Sequence, residues 1–280
     1  MSPIGYGTLY LCATPIGNLE DFSFRAVKIL ESADLIAAES TEETKKLLER
    51  YKIHKPLISY YDKGNSELKE NQLIEQLKNG KTIALVSSAG TPLVCDPGYR
   101  LVKRCAEEGI SVVPIPGASA CITALIASGL PPHPFLFVGF LPSKKNERLK
   151  VLEPLALLPY TLIFYESPHR IHESLADCLE VFGNRRAAVA RELTKIYEEF
   201  IRGTLQEIIE RIKGKTVKGE LTLLIEGCTE REEIPEKQLE EEIALLLQKG
   251  VSVSAASKEI AQRHGLSKNK IYALAHRLAP

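Results

Sequence analysis

Short apolar runs without polar alternation recur along most of the chain, and stretches with helical periodicity separate them. Thr82–Ser87 is such a run, and its β-branched and aliphatic residues are typical of a strand buried on both faces of a parallel sheet. Tyr99–Glu108 then has the periodicity of an amphipathic helix that Gly109 caps, and Ser111–Ile115 is a second apolar run. The pattern therefore predicts a strand–helix–strand unit with parallel strands.

The same alternation continues to Glu226 and predicts an α/β fold. The predicted strands are Thr8–Ala13, Leu35–Ala38, Leu57–Tyr60, Thr82–Ser87, Ser111–Ile115, Phe135–Phe140, Thr161–Tyr165, Ala187–Arg191 and Leu221–Glu226. Loops become longer after Pro116, which favours two α/β domains over residues 1–116 and 117–228.

The last part of the chain, residues 229–280, has no strand pattern. Helices are predicted over Pro235–Lys249, Ser254–His264 and Lys268–Leu278, and the turn Gly265-Leu266-Ser267 between the last two is typical of a helix-turn-helix. A helical cap that only packs on the second domain is the alternative interpretation.

Polar loops follow several predicted strands, at Thr14–Asn18, Ser88–Gly98 and Ser119. In open α/β sheets ligands bind at the carboxyl edge of the strands, so these loops predict a site there, although ordinary tight connections would have the same composition. Neither GxGxxG nor GxxxxGK[ST] occurs, which disfavours a dinucleotide-binding Rossmann domain and a P-loop.

Charge is balanced over the 280 residues, with 36 Lys and Arg against 36 Asp and Glu. No global basic field therefore indicates nucleic acid, and an RNA partner would need local patches. Two basic clusters are candidates, although solvated helix faces are the alternative. Their members are Lys144, Lys145, Arg148 and Lys150 in the first, and Lys268, Lys270 and Arg277 in the second.

The remaining composition predicts a cytoplasmic protein. Six cysteines without a CxxC pair favour buried thiols in a reducing compartment, and no signal peptide or membrane-spanning run is apparent. His169 and His172 have no further ligands nearby in sequence, so no metal is predicted.

Six motifs, taken in their order, carry a resemblance to a known family. They are ATPIGNL from Ala13, SSAGTPLVCDPG from Ser87, PIPGASA from Pro114, FYESPHR from Phe164, ARELTK from Ala190 and KGELTLLIEG from Lys218. Together they resemble the tetrapyrrole methylase superfamily, and within it the ribosomal branch of small-subunit rRNA cytidine 2′-O-methyltransferases.

The resemblance implies two α/β domains with S-adenosyl-L-methionine in the cleft between them, and a homodimer. It implies 2′-O-methylation of a cytidine in 16S rRNA, with the small ribosomal subunit as partner and neither DNA nor a membrane. The cofactor-binding residues that it implies are Thr14, Pro15, Ser88, Ala89, Gly90, Thr91, Ser119, Ala120, Tyr165, Leu193, Gly219 and Glu220. Ser88 stands where the family commonly has Asp, and Glu42 where it has Arg, so roles for an acid at 88 or a guanidinium at 42 do not transfer.

Glu166, His169 and Arg170 follow a predicted strand and are the candidate catalytic residues. A ribose 2′-hydroxyl is a poor acid, so a base and a cation near the developing oxyanion would help its methylation. A local ion pair between Glu166 and Arg170 that only fixes the loop is the alternative.

Two other functions compete with rRNA methylation. A tetrapyrrole-precursor methylase would share the fold and cofactor, but a basic helical tail has no evident role in it. A non-catalytic RNA-binding module of the same fold is the second alternative, and the Asp-to-Ser difference at Ser88 supports it.

Overall fold

The computed structural model describes residues 5–61, 66–228, 236–264 and 268–278. The chain divides into two compact units, Met1–Cys228 and Thr229–Pro280. Within the described ranges no helix combines the length and apolar character that a membrane crossing needs.

The first unit contains two sheets, and the first of them is entirely parallel. Its strands are β1 (Thr8–Cys12), β2 (Leu35–Ala38), β3 (Leu57–Ser59), β4 (Ile83–Val86) and β5 (Ser111–Ile115), in the order β3-β2-β4-β1-β5. The helices between them are α1 (Phe24–Ser32), α2 (Thr41–Arg50), α3 (Ser66–Lys78) and α4 (Tyr99–Glu107).

Every residue of β2 and β4 is buried, because helices cover both faces of this sheet. Successive residues of β4 belong to opposite cores: Ile83 and Leu85 pack in one, Ala84 and Val86 in the other. A strand with two buried faces has no polar positions to alternate, which explains the continuous apolar runs of the sequence.

The second sheet is mixed. Its strands are β6 (Phe135–Phe140), β7 (Thr161–Glu166), β8 (Arg186–Arg191), β9 (Glu199–Thr204) and β10 (Leu221–Ile225), in the order β6-β7-β10-β8-β9. β6 runs parallel to β7 and the other neighbours are antiparallel. The helices of this half are α5 (Ala120–Ser128), α6 (Lys145–Leu152), α7 (Ile171–Phe182) and α8 (Leu205–Ile212). The predicted α/β fold with two sheets is confirmed.

Strand β9 is absent from the sequence-based prediction. It lies at the edge of the sheet, and its residues Glu199–Thr204 are only partly buried or exposed. An edge strand that retains charged side chains has no apolar run to reveal it.

The second unit is helical, with α9 (Glu236–Gln248), α10 (Val253–His264) and α11 (Lys268–Leu278). All three helices contribute to one buried cluster, which contains Leu239, Ile243, Ile260, Ile271 and Leu274. The predicted turn 265–267 and the side chains at 268 and 270 lie outside the described residues.

Candidate functional site

A cavity of about 510 Å³ lies between the two sheets of the first unit, where loops at the carboxyl ends of β4 and β5 face β6, β7 and β10. Most of the predicted cofactor-binding residues line it. They are Ser88, Ala89, Gly90, Thr91, Ser119, Ala120, Tyr165, Gly219 and Glu220. The strand-end loops are thus brought together at one edge, as the parallel topology requires.

Thr14, Pro15 and Leu193 were predicted to contact the cofactor but do not line this cavity. Thr14 is buried and exchanges two backbone hydrogen bonds with Gly90, with N···O distances of 2.9 and 3.0 Å. Leu193 packs in the same buried cluster as Ile16, which does line the cavity. Thr14 and Leu193 therefore support the lining residues Gly90 and Ile16 without facing the cavity.

Gly90 occupies the tightest part of the lining. Its φ is +80°, and an added Cβ would come within 3.1 Å of Ile16 Cγ2. The hydroxyl of Thr91 donates to the carbonyl of Ala118 at 2.9 Å, which fixes the loop after β4 against the loop after β5. A side chain at position 90 would be strained at this φ and would crowd Ile16, so glycine suits this position.

The ionisable side chains that line this cavity are mainly acidic. Four carboxylates line it: Glu39, Asp96, Glu166 and Glu220. Among the described residues of the lining there is no lysine, arginine or histidine. The cavity is therefore a local acidic site on a chain of zero net charge.

Glu39 and Asp96 were not predicted as site residues. Glu39 directly follows β2 and Asp96 lies in the loop after β4, and these strands are hydrogen-bonded neighbours with Ala38 opposite Val86. The strand order was the missing information, because it brings two segments that are distant in the sequence to the same edge.

Ser88, which stands where the family commonly has Asp, is hydrogen-bonded to Glu39. Its backbone N–H and its hydroxyl both donate to Glu39 Oε2, at 3.0 and 2.7 Å. An ionised aspartate at this position would lack the hydroxyl donor and would repel Glu39.

The acidity of Asp96 is altered by its surroundings. Burial, with a smaller contribution from the negative charge of Glu39, raises its pKa to about 6, and a hydrogen bond from Ser87 offsets part of that rise. Near pH 6, therefore, the protonated and ionised forms of Asp96 are present in comparable amounts.

Glu166 and Arg170 form the local ion pair that was the alternative to a catalytic role. Glu166 Oε1 lies 2.7 Å from Arg170 Nη2 and also accepts from the backbone N–H of Ser167, and Oε2 accepts from Ser174 Oγ at 2.5 Å. Arg170 donates further to the carbonyl of Leu141. Both oxygens of Glu166 are therefore already bonded, and the pair fixes the β7–α7 connection.

His169 is exposed and lies outside the lining. Tyr165 instead points its hydroxyl at α5, where it accepts from the backbone N–H of Cys121 at 3.2 Å. Burial raises the pKa of Tyr165 above its ordinary value. The exposed ring of Phe140 lies 5.5 Å from the Tyr165 ring and forms part of the cavity wall.

Only part of the first predicted RNA-binding cluster, Lys144 to Lys150, is exposed and could contact RNA. Arg148 is 1% exposed, bonds Asp177 through Nε at 2.6 Å and donates to the carbonyls of Pro142 and Ser143, so its prediction as an RNA contact was wrong. Lys144 pairs with Glu147, and Lys145 with Glu180. Lys150 is exposed. Local carboxylates thus offset much of this cluster's charge.

A second cavity, of about 430 Å³, holds more positive charge. Its basic lining residues, which we call the basic groove, are Arg191, Arg211, Lys215 and Lys218. Glu199 lies among them and pairs with Arg191 at 3.0 Å. Arg211, Lys215 and Lys218 lie within residues 211–218, and Arg191 joins them from β8. The sequence analysis did not include this stretch among its basic clusters. Lys218 directly precedes Gly219 of the acidic cavity, so the two cavities are adjacent along the chain.

In the second unit, Arg277 pairs with Glu236 at 2.7 Å. The side chains of Lys268 and Lys270, also predicted to bind RNA, lie outside the described residues. No group of three or more His, Cys, Asp and Glu side chains in the described part of the chain is arranged to hold a metal ion.

Two relatives match this chain over nearly its whole length. A protein from Halalkalibacterium halodurans named ribosomal RNA small subunit methyltransferase I is 50% identical, with 96% of this chain and 95% of the relative covered. The Bacillus subtilis protein of the same name is 47% identical, with 96% and 94% covered.

Solved structures agree on the fold. Uroporphyrin-III C-methyltransferase from Thermus thermophilus, complexed with S-adenosyl homocysteine, has a TM-score of 0.53 at 20% identity and covers 78% of this chain and 97% of that chain. A diphthine synthase has a TM-score of 0.58 at 14% identity, with 79% and 90% covered. The model of the tetrapyrrole (corrin/porphyrin) methylases matches residues 8–209. This chain belongs to the tetrapyrrole methylase family and is, by family, a methyltransferase.

Proposed function

We propose that this protein is an S-adenosyl-L-methionine-dependent methyltransferase that methylates the ribose 2′-hydroxyl of a cytidine in 16S rRNA of the small ribosomal subunit. The names of its relatives support the rRNA substrate. The ribose position and the cytidine rest on the resemblance of the six motifs.

The acidic cavity is the observation that carries the cofactor assignment. S-adenosyl-L-methionine has a sulfonium and an ammonium against one carboxylate, so its net charge is positive. Glu166 and Glu220 have cationic partners just outside the lining, so Glu39 and Asp96 supply the negative charge that would attract such a ligand and disfavour anionic cofactors such as dinucleotides.

The described residues fit the cofactor. The Ser88–Thr91 loop, with Gly90 at φ +80°, allows close backbone approach, and the apolar side chains of Ile16 and Val94 offer packing surface. When bound, the cofactor supplies an activated methyl group, and these residues position it beside the acceptor.

Most of the RNA is expected outside the acidic cavity, with only the target nucleotide entering it. Phosphates would bind the basic groove and the exposed lysines of α6, while the exposed ring of Phe140 at the cavity wall could stack on a nucleotide base that leaves its helix. We expect the protein to act in the cytoplasm as a homodimer, and the exposed apolar side chains of Ile122 and Ile126 on α5 suit a subunit contact.

The names of the relatives favour rRNA over a uroporphyrin-type ring as the substrate. The structural neighbour that acts on such a ring shares the fold at 20% identity, a level that does not transfer its substrate.

The test is methyl transfer from radiolabelled S-adenosyl-L-methionine to small ribosomal subunits isolated from a strain that lacks this gene, with uroporphyrinogen III as the competing acceptor. We expect label in 16S rRNA, resistant to alkaline hydrolysis at a single cytidine as a 2′-O-methyl group must be. Label in uroporphyrinogen, or in neither acceptor, would contradict the proposal.

A further inference from the structure

Methylation of a ribose hydroxyl needs a group that accepts its proton, and the cavity offers four carboxylates for this task. Two of them are already committed to ion pairs. Glu166 has both oxygens bonded, to Arg170 and to Ser174. Glu220 is 75% exposed and pairs with Lys195 at 3.1 Å. Glu166 therefore has no oxygen left for a ligand in the cavity, and Glu220 has a lysine beside it.

Glu39 and Asp96 remain, and their environments differ. Glu39 Oε2 already accepts two hydrogen bonds, from the backbone N–H and the hydroxyl of Ser88. Asp96 is partly buried, and the groups that act on it are Glu39 and the hydroxyl of Ser87, with no lysine or arginine of the described residues among them. Asp96 is thus a cavity carboxylate without a compensating cation.

From this placement we infer that Asp96 is the general base, which takes the proton of the ribose 2′-hydroxyl during methyl transfer. The inference rests on the proposed function. The ribose oxygen forms its new bond to the methyl carbon with its own lone pair, and the carbon–sulfur bond breaks with its electron pair going to sulfur. The hydroxyl proton passes to a carboxylate oxygen of Asp96 and later to solvent. One negative carboxylate and one positive sulfonium thus become a neutral acid and a neutral thioether, so charge balances.

The acidity of Asp96 suits this role. Its pKa of about 6 leaves it ionised at neutral pH while making it a stronger base than an ordinary aspartate, whose pKa is 3.8. Other titratable groups line the same cavity from every side: Glu39 after β2, Cys95 on the same loop, Tyr165 and Glu166 on β7, and Glu220 before β10. Of these, Glu39 contributes to the Asp96 pKa rise.

The experiment compares Asp96→Asn with the unchanged protein in single-turnover methyl transfer to small subunits, and measures cofactor affinity by calorimetry. We expect transfer to slow by about 10² to 10⁴-fold, the usual contribution of a general base. Cofactor affinity should fall by less than about tenfold, the effect of losing one partly exposed charge. In the unchanged protein the rate should rise with pH through about 6, and that rise should be absent in Asp96→Asn.

Thermal unfolding supplies a readout that does not depend on activity. Because the folded pKa of Asp96 lies above its unfolded value, the folded state binds more protons between about pH 4 and 6, and the carboxylate destabilises the fold progressively as pH rises through that window. Asp96→Asn should therefore raise Tm at pH 7 and change it little at pH 4. The matched control is Glu107→Gln, which removes an exposed carboxyl of α4 outside the cavity.

The outcomes separate this inference from the proposed function. Full transfer rate in Asp96→Asn, or a loss explained entirely by weaker cofactor binding, would overturn the role of Asp96 while rRNA methylation by the unchanged protein stands. No transfer by the unchanged protein would overturn the proposed function itself. Asp96→Glu, which keeps a carboxylate, should retain more activity than Asp96→Asn, and equal loss in both would also count against the base.

Discussion

Gly90 shows how one residue can fix a binding loop. Its backbone N–H and carbonyl are both hydrogen-bonded to the backbone of Thr14. Its φ of +80° lies in the left-handed region, and Ile16 occupies the space that a side chain would need. The conformation of the loop after β4 is therefore set by a position that contributes only backbone to the cavity.

Replacing Gly90 with Val should abolish cofactor binding, because Cβ branches would meet Ile16 and displace the loop. It should also lower Tm, since a β-branched residue is strained at positive φ. Calorimetry and thermal unfolding measure the two effects. Gly183→Ala is the matched control, because Gly183 has a φ of +71° but no atom within 4 Å of an added Cβ. Unchanged cofactor affinity in Gly90→Val would show that this loop does not bind it.

At the scale of elements, the β7–α7 connection depends on a buried ion pair. Glu166 ends β7 and Arg170 precedes α7, so a contact four residues apart joins the strand end to the helix start. A buried carboxylate is costly without a partner, and Ser174 and the Ser167 backbone complete its hydrogen bonds. The pair therefore stabilises the wall of the cavity.

Removing the guanidinium in Arg170→Ala should lower the free energy of unfolding by about 3 kcal/mol, because Glu166 would stay buried without its partner. This corresponds to a fall in Tm of roughly 6 to 12 °C for a unit of this size. The double variant Arg170→Ala with Glu166→Gln should recover part of the loss, since no buried charge remains. A double variant as unstable as the single one would mean that Arg170 acts through other contacts.

Elements also explain which parts of the site could be predicted from sequence. Gly90 and Ser119 lie in loops directly after apolar strands, so local pattern was enough to place them at the sheet edge. Glu39 and Asp96 meet only because β2 and β4 are neighbours, and strand order is not encoded in local periodicity. The burial of Arg148 was equally hidden, because its partner Asp177 lies on another helix.

At the scale of the whole molecule, the net charge is zero, but acidic and basic side chains are concentrated in two different cavities. The acidic cavity and the basic groove lie next to each other along the chain at Lys218-Gly219, and their charges suit a cationic cofactor and a polyanionic substrate respectively. Under the proposed function, this arrangement would let a neutral protein bind a polyanionic substrate through a local patch instead of a global basic field.

Reversing two charges of the basic groove, in Arg211→Glu with Lys215→Glu, should weaken binding to small subunits by about tenfold or more and flatten its dependence on salt. Lys144→Glu with Lys145→Glu should have a smaller effect, because Glu147 and Glu180 already offset those lysines. Filter binding at several salt concentrations compares the pairs, with cofactor affinity as the control. An equal or larger effect of the α6 pair would reverse this assignment.

The last prediction concerns the helical unit. Its buried cluster is built from α9, α10 and α11, while the cavity lining comes from residues between Ile16 and Thr222. A chain that ends at Cys228 should therefore fold and bind S-adenosyl-L-methionine with unchanged affinity. It should methylate small subunits at least about tenfold more slowly at subsaturating substrate, because it loses the phosphate contacts that the basic residues of the tail are expected to make. Calorimetry and initial rates measure the two properties, and saturating subunits should restore most of the rate if the defect is capture. Failure of the shortened chain to fold would show that the tail is a structural cap, and an unchanged rate would show that its basic residues do not bind the substrate.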